Sequence, residues 1–355
     1  MALEVGKKCL CLPDGRGGYT AYEISAPAVG EKCILLPDGK GGYIAVGTGV
    51  PSVGDKVPVV PDGKGGYITW YGPQMPQIVS WGWDDYGQIS DTPIGNGFTA
   101  IAPGRYHTHA LKTDGSIVGW GYDSFGQVSD TPAGNDFVSI APGWYHSHAL
   151  KTDGSIVSWG YDYNGVVSDT PTGNDFTAAS SGMRHAHALK TDGSIVSWGY
   201  NDNGVVSDTP TGNDFAAVVT CNQVTLGRDN HSHALKTDGS IVSWGYDGWG
   251  NVSNTPTGSD FAAVAAGGYQ CLALKTDGSL VSWGREGDYG VISDTPTGNG
   301  FTAVAAGHEN SHALKTDGSI ISWGNPSYGV ISDTPTGNGF TAIATGYYSC
   351  YALRG

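Results

Sequence analysis

The sequence predicts an all-β protein: a seven-bladed β-propeller with a split closing blade, preceded by a small three-hairpin β domain. Three observations lead there. The tryptophan of a Trp-Gly pair recurs at Trp81, Trp120, Trp159, Trp198, Trp244, Trp283 and Trp323, mostly 39 residues apart, and a fixed period of this size marks a repeat architecture. Each copy divides into four short segments separated by turn residues, as in Phe98 to Ala102, His107 to Lys112, Ser116 to Tyr122 and Gly126 to Ser129. Four such strands make one propeller blade. The chain ends also complement each other, because Gln77 to Trp81 lacks its preceding strand and Cys350 to Arg354 lacks its following one. Paired, they complete a seventh blade and remove the open edge of the ring.

Composition agrees. The chain of 355 residues holds 57 glycines, 11 tryptophans and 19 tyrosines with only 14% charged residues, a bias toward short strands and tight turns. Residues 1–72 form a separate array of period 24, with VGKKCLCLPDGRGGY from Val5, VGEKCILLPDGKGGY from Val29 and VGDKVPVVPDGKGGY from Val53. Each copy reads as a hairpin whose glycines supply the positive φ of the turn. No single hairpin is stable alone, so three are expected to pack into one attachment or assembly domain, which is also a route to oligomers. Residues 73–76, with Pro73 and Pro76, read as a stiff linker to the propeller at 77–355.

Eighteen Lys and Arg against 33 Asp and Glu leave a net charge of −15. That charge repels phosphate backbones and anionic lipid, so nucleic acid is excluded as the expected partner and basic or neutral partners fit better. No stretch is apolar enough for membrane insertion, and Met1 to Lys8 contains no secretory leader. An extracellular, virion or cell-surface location is favoured over the cytoplasm. The six cysteines are sparse and lack a CxxC pair, which reads as thiols rather than a disulfide framework.

Strands alternate direction within a blade, so the GxxH loop after the first segment and the WGYDxxG loop after the third share one face. The KTDGS turns on the other face hardly vary between copies. On the first face the copies differ: Arg105 and Tyr106, Trp144 and Tyr145, Met183 and Arg184, Arg228 and Asp229, Tyr269, His308 and Glu309, Tyr347 and Tyr348 in one loop set, and Tyr86, Phe125, Tyr163, Trp249, Tyr289 and Tyr328 in the other. Rigid aromatics beside short polar groups are the chemistry of a recognition surface. These residues are the expected contacts for a protein or glycan partner.

The histidines recur too, as His107 and His109, His146 and His148, His185 and His187, His231 and His233, with His308 and His312 offset. Two histidines separated by one residue on a strand point to the same side. They either chelate a metal ion or pack between blades. No cofactor is otherwise expected. The DGxGG turns at Asp14, Asp38 and Asp62 each offer one carboxylate where a calcium loop needs several.

The stretches GRYHTHALKTDGSIVGWG from Gly104 and GWYHSHALKTDGSIVSWG from Gly143 resemble the regulator of chromosome condensation propeller repeat, whose pattern runs GxxH, an AL pair, a DG turn and WG. Short regular copies ending in ALRG are most similar in style to the propeller-type β-lactamase inhibitory protein and its prokaryotic relatives. The resemblance implies a compact propeller that grips a protein with loop aromatics. The chain departs from the pattern at His109, His148, His187, His233 and His312, where an apolar residue is usual. No GxSxG, HExxH or phosphate loop is present, so the expected function is non-catalytic recognition, with enzyme inhibition and metal chemistry at the histidine pairs as alternatives.

Overall fold

The computed structural model describes residues 77–221 and 230–355 and, of the preceding segment, the backbone of its strands. The chain divides into two compact units, Met1–Met75 and Pro76–Gly355. The first holds three antiparallel strand pairs: Cys9–Pro13 with Tyr19–Glu23, Ile34–Pro37 with Tyr43–Val46, and Val59–Pro61 with Tyr67–Thr69. The turns with Asp14, Asp38 and Asp62 lie outside the described residues.

The second unit is a seven-bladed propeller. In its first blade an inner strand, Phe98–Pro103, pairs with a middle strand, His107–Lys112, which pairs with an outer strand, Ile117–Gly121. The next five blades repeat this order. The last joins Phe340–Thr345 and Ser349–Arg354 to Gln77–Gly82, with Cys350 opposite Trp81. The split blade is therefore real, and backbone hydrogen bonds close the ring. The inner strands line a central channel of about 340 Å³, walled by residues such as Pro103, Pro142, Ser181, Thr220 and Thr345.

Each blade has three strands rather than the expected four. The fourth segment is a turn because its polar groups are already engaged. In the first blade the Asp123 carboxylate accepts the amides of Val128 and Ser129 at 2.8 and 2.9 Å, while the carbonyl of Gln127 accepts the indole N–H of Trp159 in the next blade at 2.9 Å. Asp84, Asp162, Asn201 and Asp247 hold the corresponding amides in four other blades. Asp84 therefore braces a turn.

Those indole bonds run round the whole ring. Trp120 donates to Gln88, Trp159 to Gln127, Trp198 to Val166, Trp244 to Val205, Trp283 to Asn251, Trp323 to Val291 and Trp81 to Val330, at 2.8–3.1 Å. Every one of these tryptophans is buried, and each anchors a core cluster with the Phe that opens an inner strand. A buried Trp N–H left unpaired would cost its desolvation, so the repeated Trp both fills the space between blades and fixes their spacing.

Candidate recognition face

One backbone hydrogen bond per blade ties the two loop sets together. Tyr122 donates to Tyr106, Tyr161 to Tyr145, Tyr200 to Arg184, Tyr246 to Asn230, Arg285 to Tyr269, Asn325 to Glu309 and Trp83 to Tyr348. This close approach explains the glycine after each Trp. Gly160 has φ +93°, and a Cβ there would lie 2.5 Å from the Tyr145 carbonyl oxygen. The varied loops therefore share one face.

On that face the aromatic rings touch in a continuous belt. From Tyr200 it runs through Tyr163, Tyr161, Phe125, Tyr145, Tyr106 and Trp83 to Tyr347, with centroid separations of 4.7–6.4 Å. It continues through His308, Tyr269 and Trp249 to Tyr246 at 4.4–5.6 Å. Tyr86 and Tyr122 widen it beside Tyr106, and Tyr328 and Tyr348 widen it beside Trp83 and Tyr347. All seven blades contribute a ring or an arginine on a ring. Edge-to-face pairs of this kind add about 0.5–1.5 kcal/mol each beyond their burial.

Three arginines lie over the belt. The Arg105 guanidinium is 4.0 Å from the Trp144 ring, 4.1 Å from Tyr347 and 4.9 Å from Tyr106. Arg184 covers Tyr163 at 4.3 Å, and Arg285 covers Tyr269 at 4.8 Å and Trp249 at 5.1 Å. Such contacts hold the rings in place before anything binds. Burial drives the Tyr347 hydroxyl up to about 12, against the opposing pull of Arg105, so it stays a neutral donor.

The structure sorts the sequence-predicted residues by depth. Tyr86, Phe125, Tyr289 and Tyr328 stand out at 42–57% exposure, and Tyr106, Trp144, Tyr145, Tyr163, Trp249, Tyr269 and Tyr348 are half-buried within the belt. Arg105, His308 and Tyr347 are its buried members. Met183 was expected to face a partner, but it is 1% exposed and packs with Cys221 under Trp144, so it supports the face from below. Arg184 lies on the face, and the Glu309 carboxylate accepts from the Asn325 amide at 2.7 Å. Arg228 and Asp229 lie outside the described residues.

Sequence comparison missed Trp83, Tyr122, Tyr161, Tyr200 and Tyr246. These follow Trp-Gly, and four of the five are the same residue; a search for differences among copies passes over a position that repeats. Yet Tyr161 is 42% exposed and touches Phe125 at 4.7 Å.

The histidine pairs occupy the seams between blades. His107, His109, His146, His148, His185, His187, His231 and His233 are at most 2% exposed. The second histidine of each pair sets its ring against the Trp of the next blade: His109 on Trp159, His148 on Trp198, His187 on Trp244 and His233 on Trp283, at 5.1–5.4 Å. At least one of its nitrogens meets a hydroxyl, and His187 uses both, bridging Ser197 at 2.6 Å and Ser232 of the next blade at 2.8 Å. Burial pulls His109, His146, His187 and His312 down to about 3, and His107, His148, His185 and His233 well below the usual range. They are neutral packing groups at pH 7. Among the described residues, one seam alone also brings a cysteine to both histidines of a pair, His231 and His233 with Cys271.

A ring of near-identical blades presenting one varied, aromatic face defines a repeat propeller. Residues 98–127 match the Regulator of chromosome condensation (RCC1) repeat, and the propeller fold is that of solved RCC1 structures. Its fold is similar to that of yeast RCC1 (Prp20), solved bound to Kap60, at TM-score 0.64 and 17% identity over 79% of this chain and 89% of that one. A second structure of Prp20p, from Saccharomyces cerevisiae, described with its binding to Gsp1p and histones, gives TM-score 0.63 at 17% identity over 80% and 92%. The ectodomain of the Physcomitrella patens receptor kinase CR4 gives 0.58 at 22% over 71% and 69%. No curated protein sequence matches the chain.

Proposed function

We propose that this protein is a non-catalytic recognition module that binds a protein or glycan through the aromatic belt. The observation that carries the reading is the continuity of the belt across the blades, in a propeller whose KTDGS turns on the opposite face hardly vary. Single exposed aromatics are ordinary, whereas a contiguous aromatic patch with exposed edges marks an interaction site. The arginine-clamped rings present large contact area at little ordering cost. Protein binding by the similar Prp20 structures supports a protein partner, and the net charge of −15 favours a neutral or basic one. The N-terminal hairpins serve attachment or assembly in this reading.

The test uses an exposed arc of the belt. A Tyr86→Ala, Phe125→Ala, Tyr161→Ala variant removes three rings at 42–43% exposure and is expected to keep its melting temperature within a few degrees. Capture from extract and binding to a glycan array are compared with the intact chain. Truncated anchors at an interface centre cost about 2–4 kcal/mol each, so at least a hundredfold loss of partner affinity is expected. Equal binding by the intact chain and the folded variant would overturn the reading, and inhibition of a β-lactamase by the intact chain alone would narrow it.

A further inference from the structure

The seam between the fourth and fifth blades departs from the repeat at linked positions. Where five middle strands carry Thr108, Ser147, Ala186, Ser232 and Ser311 as their second residue, the fifth and seventh blades carry Cys271 and Cys350, both fully buried. The Cys271 Sγ lies 3.1 Å from Nε2 of His233 and 3.4 Å from Nε2 of His231, and the three ligand atoms lie within 4.8 Å of one another. The residue that closes the inner strand with a backbone bond to the middle strand is Gly104, Gly143, Gly182, Gly267, Gly307 or Gly346 in six blades, and Cys221 in the fourth. Glycine is required in the others: a Cβ on Gly182 would lie 2.3 Å from the His185 ring. The fourth blade thus replaces that glycine with a cysteine whose backbone N–H donates to the carbonyl of its first histidine, His231, at 3.1 Å.

We propose that His231, His233 and Cys271 form a buried site for one thiophilic d10 cation, zinc(II) or copper(I). Imidazole and thiolate are the donors such ions select. With Zn–S of about 2.3 Å and Zn–N of about 2.0 Å, tetrahedral geometry sets sulfur and nitrogen about 3.5 Å apart, close to the spacing already present. Imidazole nitrogens offer lone pairs to the metal, and binding releases the thiol proton to solvent while the sulfur–metal bond forms, so affinity rises with pH. The seventh blade supplies the contrast. Cys350 also meets a histidine, His312 at 3.2 Å, but the first residue of that pair is replaced by Asn310, whose amide oxygen takes the same His312 nitrogen. One nitrogen ligand and one sulfur do not make a site.

The full chain, expressed in zinc-supplemented medium and purified under reducing conditions, is expected to retain about one zinc per chain by elemental analysis. Expression with cobalt is expected to give thiolate-to-cobalt charge-transfer absorption. Cys271→Ser restores the serine found at this position in other blades, so the variant keeps its fold, and it is expected to lose the metal and the absorption. Cys350→Ser is expected to keep both. Absence of stoichiometric zinc, copper or cobalt from the parent, metal retention by a folded Cys271→Ser variant, or equal loss in Cys350→Ser would each overturn the proposal.

Discussion

The seams between blades and the aromatic face are built from the same repeat, yet they differ in how far the copies have diverged. At a seam, each Trp meets the carbonyl of the preceding blade and each second histidine meets the Trp of the next. A residue there is held by another copy of the same sequence, and a change on one side strands a buried polar group on the other. On the face, ring contacts reach 4.4–6.4 Å with many geometries, and Tyr106, Arg184, Tyr269 and Glu309 fill equivalent places. Surface loops tolerate this because no buried partner dictates the choice. The constancy of the seams closes the ring of blades, and the variety of the face distinguishes one blade from the next.

The comparison can be broken most forcefully by acid. The seam histidines have folded values pulled below 6.5, four of them to about 3, by burial. As pH falls below 6.5 the unfolded chain takes up protons that the native seams refuse, so stability is full above pH 6.5 and drains toward pH 3, at about 1.4 kcal/mol per pH unit for each histidine. Cooperative unfolding between pH 6 and 4, followed by tryptophan fluorescence, is the expected outcome. An intact fold at pH 3.5 would mean the histidines are not buried neutral.

Trp159→Ala comes next. It removes a 5% exposed ring, an edge contact to His109 and the bond to Gln127. The expected loss is about 3–5 kcal/mol in urea unfolding, whereas Phe125→Ala on the face is expected to cost under about 1 kcal/mol. Comparable costs would erase the distinction between the regions. The smallest expected effect sharpens it. His148 Nε2 has no hydrogen-bond partner among the described residues, and the next blade carries Ala186 where His187 finds Ser232. Ala186→Ser is expected to supply the missing hydroxyl and raise stability by about 1 kcal/mol.

Much of this was legible in advance because a repeat compares itself. The period of Trp-Gly gave blade number, the unpaired ends at Gln77 and Arg354 gave the closure, and variation between copies located the face. The fourth strand was misread since Gln127-Val128-Ser129 has strand composition; only the structure shows Asp123 and Trp159 taking its amides and carbonyl. Met183 was misplaced because loop position says nothing of depth. Tyr161 escaped notice because it repeats.

The sequence by itself determined the architecture, since periodicity and turn residues are local and each copy reports on the others. Only the tertiary structure decided what lies against what: that separate aromatics join into a belt, that histidine pairs face tryptophans across the seams, and that Cys271 stands beside His231 and His233, 40 and 38 residues away along the chain. Those contacts cross between blades, and contact across a seam depends on blade spacing and tilt, which no single repeat encodes.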